Sequence, residues 1–180
     1  ESGVDYVFLD EHAFIQSGFE ERELSGPFLS EDQGKSVNIF PISKTLRYLL
    51  PFADVEQIRR VLLERAVSHP GSVWVFADDL EKFGIWPGTW ELVHQRGWLV
   101  DFLQMLGANE RSLRTITPGE ALKETGVRGL AYLPGSSYPE MMRWTLPPSL
   151  RPDATRFGNP RNFLVRYPEV NLLHKRMLMA

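Results

Sequence analysis

Asp78, Asp79 and Glu81 follow one another closely, directly behind the apolar run Val73-Trp74-Val75-Phe76-Ala77. Carboxyl groups grouped at the end of a buried strand are the raw material of acid/base chemistry, because one can hold a proton while its neighbour stays ionised. Strand side chains alternate, so an extended backbone would send Asp79 and Glu81 to one side and Asp78 to the other. Phe83 and Trp86, a few residues on, offer an apolar wall or a flat platform for a ring-shaped ligand. Acids in this position also solvate loops, bond their own backbone or cap the next helix. The pattern alone does not choose between these roles.

The same arrangement recurs earlier. Val4-Asp5-Tyr6-Val7-Phe8-Leu9 is a short strand pattern that ends in Asp10-Glu11-His12, and an extended backbone would put Asp10 and His12 on one face. A metal site would need further ligands, and His69, His94 and His174 fall in helix-like surroundings, so an ordinary hydrogen-bonded His is expected instead.

The elements that would position these groups alternate. Val73 to Ala77 has the length and β-branched, aromatic content of a strand buried on both faces. Ser36 to Pro41 and Arg111 to Ile116 are further strand candidates, and the stretch Ser17 to Lys35, rich in Gly, Ser, Glu and Asp, reads as a long loop over a cleft. Lys-Thr-Leu-Arg-Tyr-Leu-Leu forms a helical turn closed by Pro51. A helix opens at Asp54, with Gln57 as capping partner and Val55, Ile58, Leu62 and Ala66 on one stripe that packs on the sheet. Thr89 can cap a helix that Gly97 stops, Trp98 to Leu106 forms another, and Trp90 and Trp98 sit at core spacing. Thr117-Pro118-Gly119-Glu120 is a helix start with a capping box and Pro at the first position, matched by Gly126 as a stop. Strand and helix thus alternate about four times, which implies parallel strands with right-handed crossovers. Beyond Gly129 the chain changes character: a short extended piece, a short helix at Tyr138 to Trp144, loop from Leu150 to Pro160, and a last helix from near Pro168 with Val170, Leu173 and Met177 on one stripe.

Composition narrows the function classes. The chain has 180 residues, 43% hydrophobic and 24% charged, enough to bury one core. A net charge of -3 supplies no basic field, so nucleic acid is not an expected partner and neutral substrates suit it better. With no cysteine there is neither a disulfide framework nor a thiolate metal site, which accords with a cytoplasmic location. No apolar run approaches the roughly 20 residues of a membrane span, so no membrane partner is expected. The start at Glu1-Ser2-Gly3 suggests a segment of something longer.

The string from Asp78 to Leu99, DDLEKFGIWPGTWELVHQRGWL, resembles the fourth sequence motif of glycoside hydrolase family 57, which includes 4-α-glucanotransferases and α-amylases. LDEHAF at 9 to 14, FPISKTLRYLLPF at 40 to 52, SSYPEMMRWTLP at 136 to 147 and RNFLVRYPEVNLLHKRML at 161 to 178 fit the same family in the same order. Leu80 departs from it, standing where the family commonly has Gly or another small residue.

The resemblance implies an α/β fold: part of an incomplete (β/α)7 barrel, about four β/α units with parallel strands in residues 1–130, then the start of a helical region in 131–180. It implies a retaining enzyme acting on α-1,4-glucans or maltooligosaccharides, with Asp79 as catalytic acid/base. Glu81, Lys82, Trp86, Asp10 and His12 would be substrate-binding, with no metal or other cofactor. The nucleophilic Glu would belong to a motif just before the segment matching Glu1 to His12, so the remainder of the parent domain is an implied partner and these residues alone would be inactive. A barrel cut partway leaves strand edges open to self-association. Two alternatives remain open on sequence: a non-catalytic carbohydrate-binding relative, and a polysaccharide deacetylase-like metal enzyme with Asp10 and His12 as ligands.

Overall fold

A computed structural model describes residues 3–133, 140, 149 and 161–179. Tyr6–Asp10 forms β1, and its last residue caps the short helix α1, Glu11–Gln16, by accepting from the His12 N–H at 2.9 Å. Phe28–Asp32 is β2 and Lys35–Ile42 is β3. The sheet order is β1-β3-β2, with β1 parallel and β2 antiparallel to β3.

This mixed sheet corrects the expectation of parallel strands throughout. The stretch Ser17 to Lys35 is not a plain loop, for it contains a 3-10 turn at Glu21–Glu23 and the whole of β2. Gln33 (φ 51°) and Gly34 (φ 76°) both take left-handed backbone between β2 and β3, as a tight two-residue hairpin requires. The polar composition of Ser30, Glu31 and Asp32 hid the strand, whose buried end is Phe28 against Ile39.

The segment 73–77 is extended and parallel to β3, but it makes a single bridge, Val75 to Ile42, rather than a ladder, and its side chains are half-buried rather than buried on both faces. The backbone gives the reason. Ser43 N–H donates to the Val75 carbonyl at 2.9 Å, and the preceding amide on that edge of β3 belongs to Pro41, which has no hydrogen to donate. The remaining edge of β3, Lys35 to Ile39, is occupied by β2. Ile42 therefore joins Asp10 on one side and Val75 on the other, which gathers the carboxyl ends of three extended segments in one place.

Helices build the layer beneath. Ser43 caps α2, Lys44–Leu49, by accepting from Leu46 N–H at 3.2 Å. The long helix α3, Val55–Ser68, begins after Asp54, although the Asp54 side chain makes no cap bond, and α4 spans Trp98–Ala108. Leu46, Leu50, Ile58, Trp98 and Met105 form one buried cluster, with Trp74, Phe76 and Phe83 packed on it, so α3 packs against α4 and segment 73–77. A second cluster, Phe14, Leu24, Phe28, Ile39 and Ala131, joins α1 to the hairpin. Helix α5, Pro118–Thr125, has the full capping box of Thr117 and Glu120 and ends at Gly126.

Other expectations need correction. Residues 111–116 form a turn and irregular chain, not a strand, because no strand among the described residues pairs with them. Glu91–Gln95 is a π-helical turn, and Trp90 is 58% exposed, packed on the His94 ring instead of in the core, whereas Trp98 is buried. Helices α6, Arg161–Arg166, and α7, Pro168–Leu178, close the described chain, with Leu173 and Met177 largely exposed. The helix expected at Tyr138 to Trp144, apart from Glu140, and the loop from Leu150 to Pro160 lie outside the described residues. Among the described residues no helix is long and apolar enough to cross a membrane.

Candidate active site

The junction after residue 77 is clamped from both sides by the helical core. Phe76 packs edge-on to Phe83 (ring centroids 6.1 Å apart), and Phe83 meets Trp98 at 6.2 Å. Between these anchors the backbone stays extended through Asp79 and then turns into the 3-10 helix Leu80–Phe83. Asp78, in step with Trp74 and Phe76, points inward, and its side chain is 2% exposed. Asp79 points outward and is exposed. The alternation stops there, so Glu81 takes its outward direction from the 3-10 turn and not from strand geometry.

Gly84 ends that turn at φ 147°, and a Cβ on it would lie 3.2 Å from both His94 Nε2 and Trp90 Cε3. The His94 ring bonds the Phe83 carbonyl at 2.9 Å, which fixes the turn to the π-helical segment. Glycine is thus required at 84 by sterics. Leu80 is different: its φ is not positive and its side chain is 82% exposed, so the backbone accommodates it without needing glycine.

Asp78 is held by two cations. Its Oδ2 accepts from Lys82 Nζ and lies 3.5 Å from Arg47 Nε, while its Oδ1 accepts the N–H of Asp79 at 2.9 Å. Lys82 is buried, also donates to the Arg47 carbonyl at 3.0 Å, and lies 5.3 Å from the Trp86 ring and 5.8 Å from that of Phe52. Phe52 and Trp86 stack at 6.2 Å and are 49% and 39% exposed, which presents a flat aromatic surface above the ammonium group. Arg47 Nη1 donates to Asp10 Oδ2 at 2.7 Å, so one guanidinium links the end of β1 to the end of segment 73–77. Burial alone would weaken the charge of Arg47, but the Asp78 and Asp10 carboxylates outweigh it and raise its pKa further.

A cleft of about 490 Å³ opens on the Asp10 side, lined by His12, Lys44, Arg47, Tyr48 and Glu140 among others. The Tyr48 hydroxyl donates to Glu140, which raises the pKa of the phenol and lowers that of the carboxyl. Glu11, buried beside the cleft, is pushed up chiefly by desolvation, against the Lys44 N–H that its Oε2 accepts at 3.0 Å. The His12 ring bonds Gln16 at 2.9 Å. Among the described residues no group of His, Asp and Glu side chains converges as a metal set would.

The structure therefore brings Asp10, Lys82 and Trp86 into one connected region and places His12 on the cleft, whereas Glu81 faces solvent and Asp79 lies outside the cleft lining. Sequence reasoning missed Arg47 and Phe52, and it named Asp78 among the acids without its role as an internal anchor. The available signal for Arg47 was a cation within the otherwise apolar turn Leu46 to Leu50.

Residues 1–134 match the model for glycosyl hydrolase family 57, and the chain belongs to that family. It is 39% identical to a 4-alpha-glucanotransferase of Thermococcus litoralis and 38% identical to an alpha-amylase of Pyrococcus furiosus, covering 100% of this chain and 30% of each relative. An alpha-amylase 1 of Dictyoglomus thermophilum is 34% identical over 99% of the chain and 29% of its own length. The crystal structure of the Thermococcus litoralis 4-alpha-glucanotransferase superposes with a TM-score of 0.85 at 38% identity, over 99% of this chain and 31% of that one. The chain thus spans about 30% of the length of the curated relatives it matches.

Proposed function

We propose that these residues form the central part of the catalytic domain of a retaining α-glucan-active enzyme, an α-amylase or 4-α-glucanotransferase, within an incomplete (β/α)7 barrel. Asp79 is its acid/base. The observation that carries this reading is the contrast at residues 78 and 79. Asp78 is buried and fully engaged, while the neighbouring Asp79 carboxylate is exposed and, among the described residues, has no hydrogen-bond or ion-pair partner. A proton donor must reach its substrate, and an acid already committed to internal cations does not.

In such a reaction a Glu outside these residues attacks the anomeric carbon as Asp79 protonates the departing glycosidic oxygen. Asp79, now a carboxylate, then takes a proton from water or from the hydroxyl of a second sugar, whose oxygen displaces the Glu. The two carboxyl groups must lie roughly 5–5.5 Å apart. The Phe52–Trp86 surface supplies stacking for a sugar ring, Glu81 accepts from its hydroxyls, and Asp10 and His12 border the route along the cleft. Lys82 contributes charge from beneath the aromatic pair.

The test is Asp79→Asn in the full-length protein, assayed on maltooligosaccharides. The reading requires turnover to fall about a thousandfold with the melting temperature unchanged. Near-parental turnover would refute it.

A further inference from the structure

We infer that Arg47 is a positioning residue for Asp79, acting through Asp78. The inference rests on the proposed acid/base role of Asp79 and concerns how that role is maintained.

Asp79 has no side-chain bond of its own to fix it. What defines its place is the backbone, and the backbone is held by a neighbour: the Asp79 N–H donates to Asp78 Oδ1 at 2.9 Å. Asp78 can serve as that anchor only if its own carboxylate is immobile. Its Oδ2 faces the Arg47 guanidinium at 3.5 Å and receives the Lys82 ammonium, in a pocket that leaves the side chain 2% exposed. Arg47 is in turn oriented by Asp10 at 2.7 Å, and Asp10 is pinned as the cap of α1. The charges of Asp10 and Asp78 balance those of Arg47 and Lys82, so the set satisfies the condition under which buried ions hold a geometry: every member is paired.

Arg47 is the member that spans the two segment ends, because its Nη1 reaches Asp10 while its Nε faces Asp78. A lysine has one ammonium and cannot present two separated N–H groups along a rigid plane, so it would satisfy only one carboxylate well. Removing the guanidinium lets Asp78 swing toward Lys82 alone and carries the Asp79 backbone with it. A displacement of about 1 Å at an acid is enough to cost about a hundredfold in rate.

The experiment is a double-mutant cycle in the full-length protein, with a labelled maltooligosaccharide as substrate. Arg47→Met retains the apolar stem and the carbonyl that accepts from Lys82. It should lower kcat about a hundredfold while KM changes less than about threefold, and Arg47→Lys should recover about tenfold of the loss. In the Asp79→Asn background Arg47→Met should cost no more than about twofold, since the group it positions is already disabled. A purely structural role would instead multiply the two losses. If Arg47→Met keeps kcat within about threefold, or its loss multiplies with that of Asp79→Asn, the inference is overturned while the acid/base reading stands. If Asp79→Asn itself retains parental turnover, both fall. Should Arg47→Met fail to show a cooperative melt, Asp78→Asn takes its place in the same cycle: full activity or multiplied losses overturn the inference, and a kcat loss absorbed by Asp79→Asn supports it.

Discussion

The ends of β1 and of segment 73–77 are built from the same parts and put to different use. Each junction carries two successive acids where the extended chain turns into a short helix: Asp10 caps α1 and Glu11 is its first residue, while Asp78-Asp79 precede the 3-10 turn. In both, the first acid is an internal anchor bound to Arg47. The second acids diverge. Glu11 is buried and accepts the Lys44 N–H, so the end of β1 has spent both carboxyls on structure. Asp79 lies on the outer side of its turn and is exposed. An acid that carries no structural duty can be given a chemical one without cost to the fold, and this is where the two junctions part.

Four substitutions probe that difference. Asp79→Asn should remove about a thousandfold of turnover yet shift the melting temperature by less than about 1 °C, since no partner is lost. Asp78→Ala should do the reverse in stability, costing about 3–5 kcal/mol in denaturant unfolding because the buried Lys82 ammonium loses its carboxylate partner and Arg47 loses one of its carboxylate neighbours. If the two variants destabilised equally, the division between anchor and free acid would be wrong. Asp10→Ala should cost about 2 kcal/mol, through the lost cap of α1 and the lost Arg47 bond. Arg47 retains Asp78, so the loss is smaller than at Asp78 itself.

Glu11→Gln should have the smallest effect, and one that depends on pH. The folded-state pKa of Glu11 is raised above its ordinary 4.5, so the folded protein binds the proton more tightly than the unfolded chain does. Stability from this group is full below pH 4.5 and declines as pH rises through the raised value. The glutamine variant lacks that decline and can still accept the Lys44 N–H. Its melting temperature should match the parent near pH 4 and exceed it at pH 7; equal melting temperatures at both would mean that Glu11 is ionised in the fold at no cost.

Periodicity located several elements because the signals were local. The Thr117-Pro118-Glu120 capping box, the α3 stripe centred on Ile58 and the start of the last helix at Pro168 each depend on neighbours a few residues apart. Failures came where a distant partner decided the outcome. Phe28–Asp32 is a strand because Lys35–Ile39 pairs with it, and residues 111–116 are not because no strand among the described residues does.

For the site, the string of acids, Lys82, Gly84 and Trp86 identified the region, and alternation between adjacent residues was enough to send Asp78 and Asp79 in opposite directions. Which of the two faced inward depended on where Phe76, Phe83 and Trp98 would pack. That Arg47, more than thirty positions away, would join Asp10 to Asp78 depended on the pairing of Ile42 with both neighbouring segments. Residue types and their local spacing restrict the chemistry a chain can perform, since side-chain donors and acceptors are fixed by sequence. Which acid is left free is a matter of long-range charge pairing and burial, and those exist only once the segments have come together.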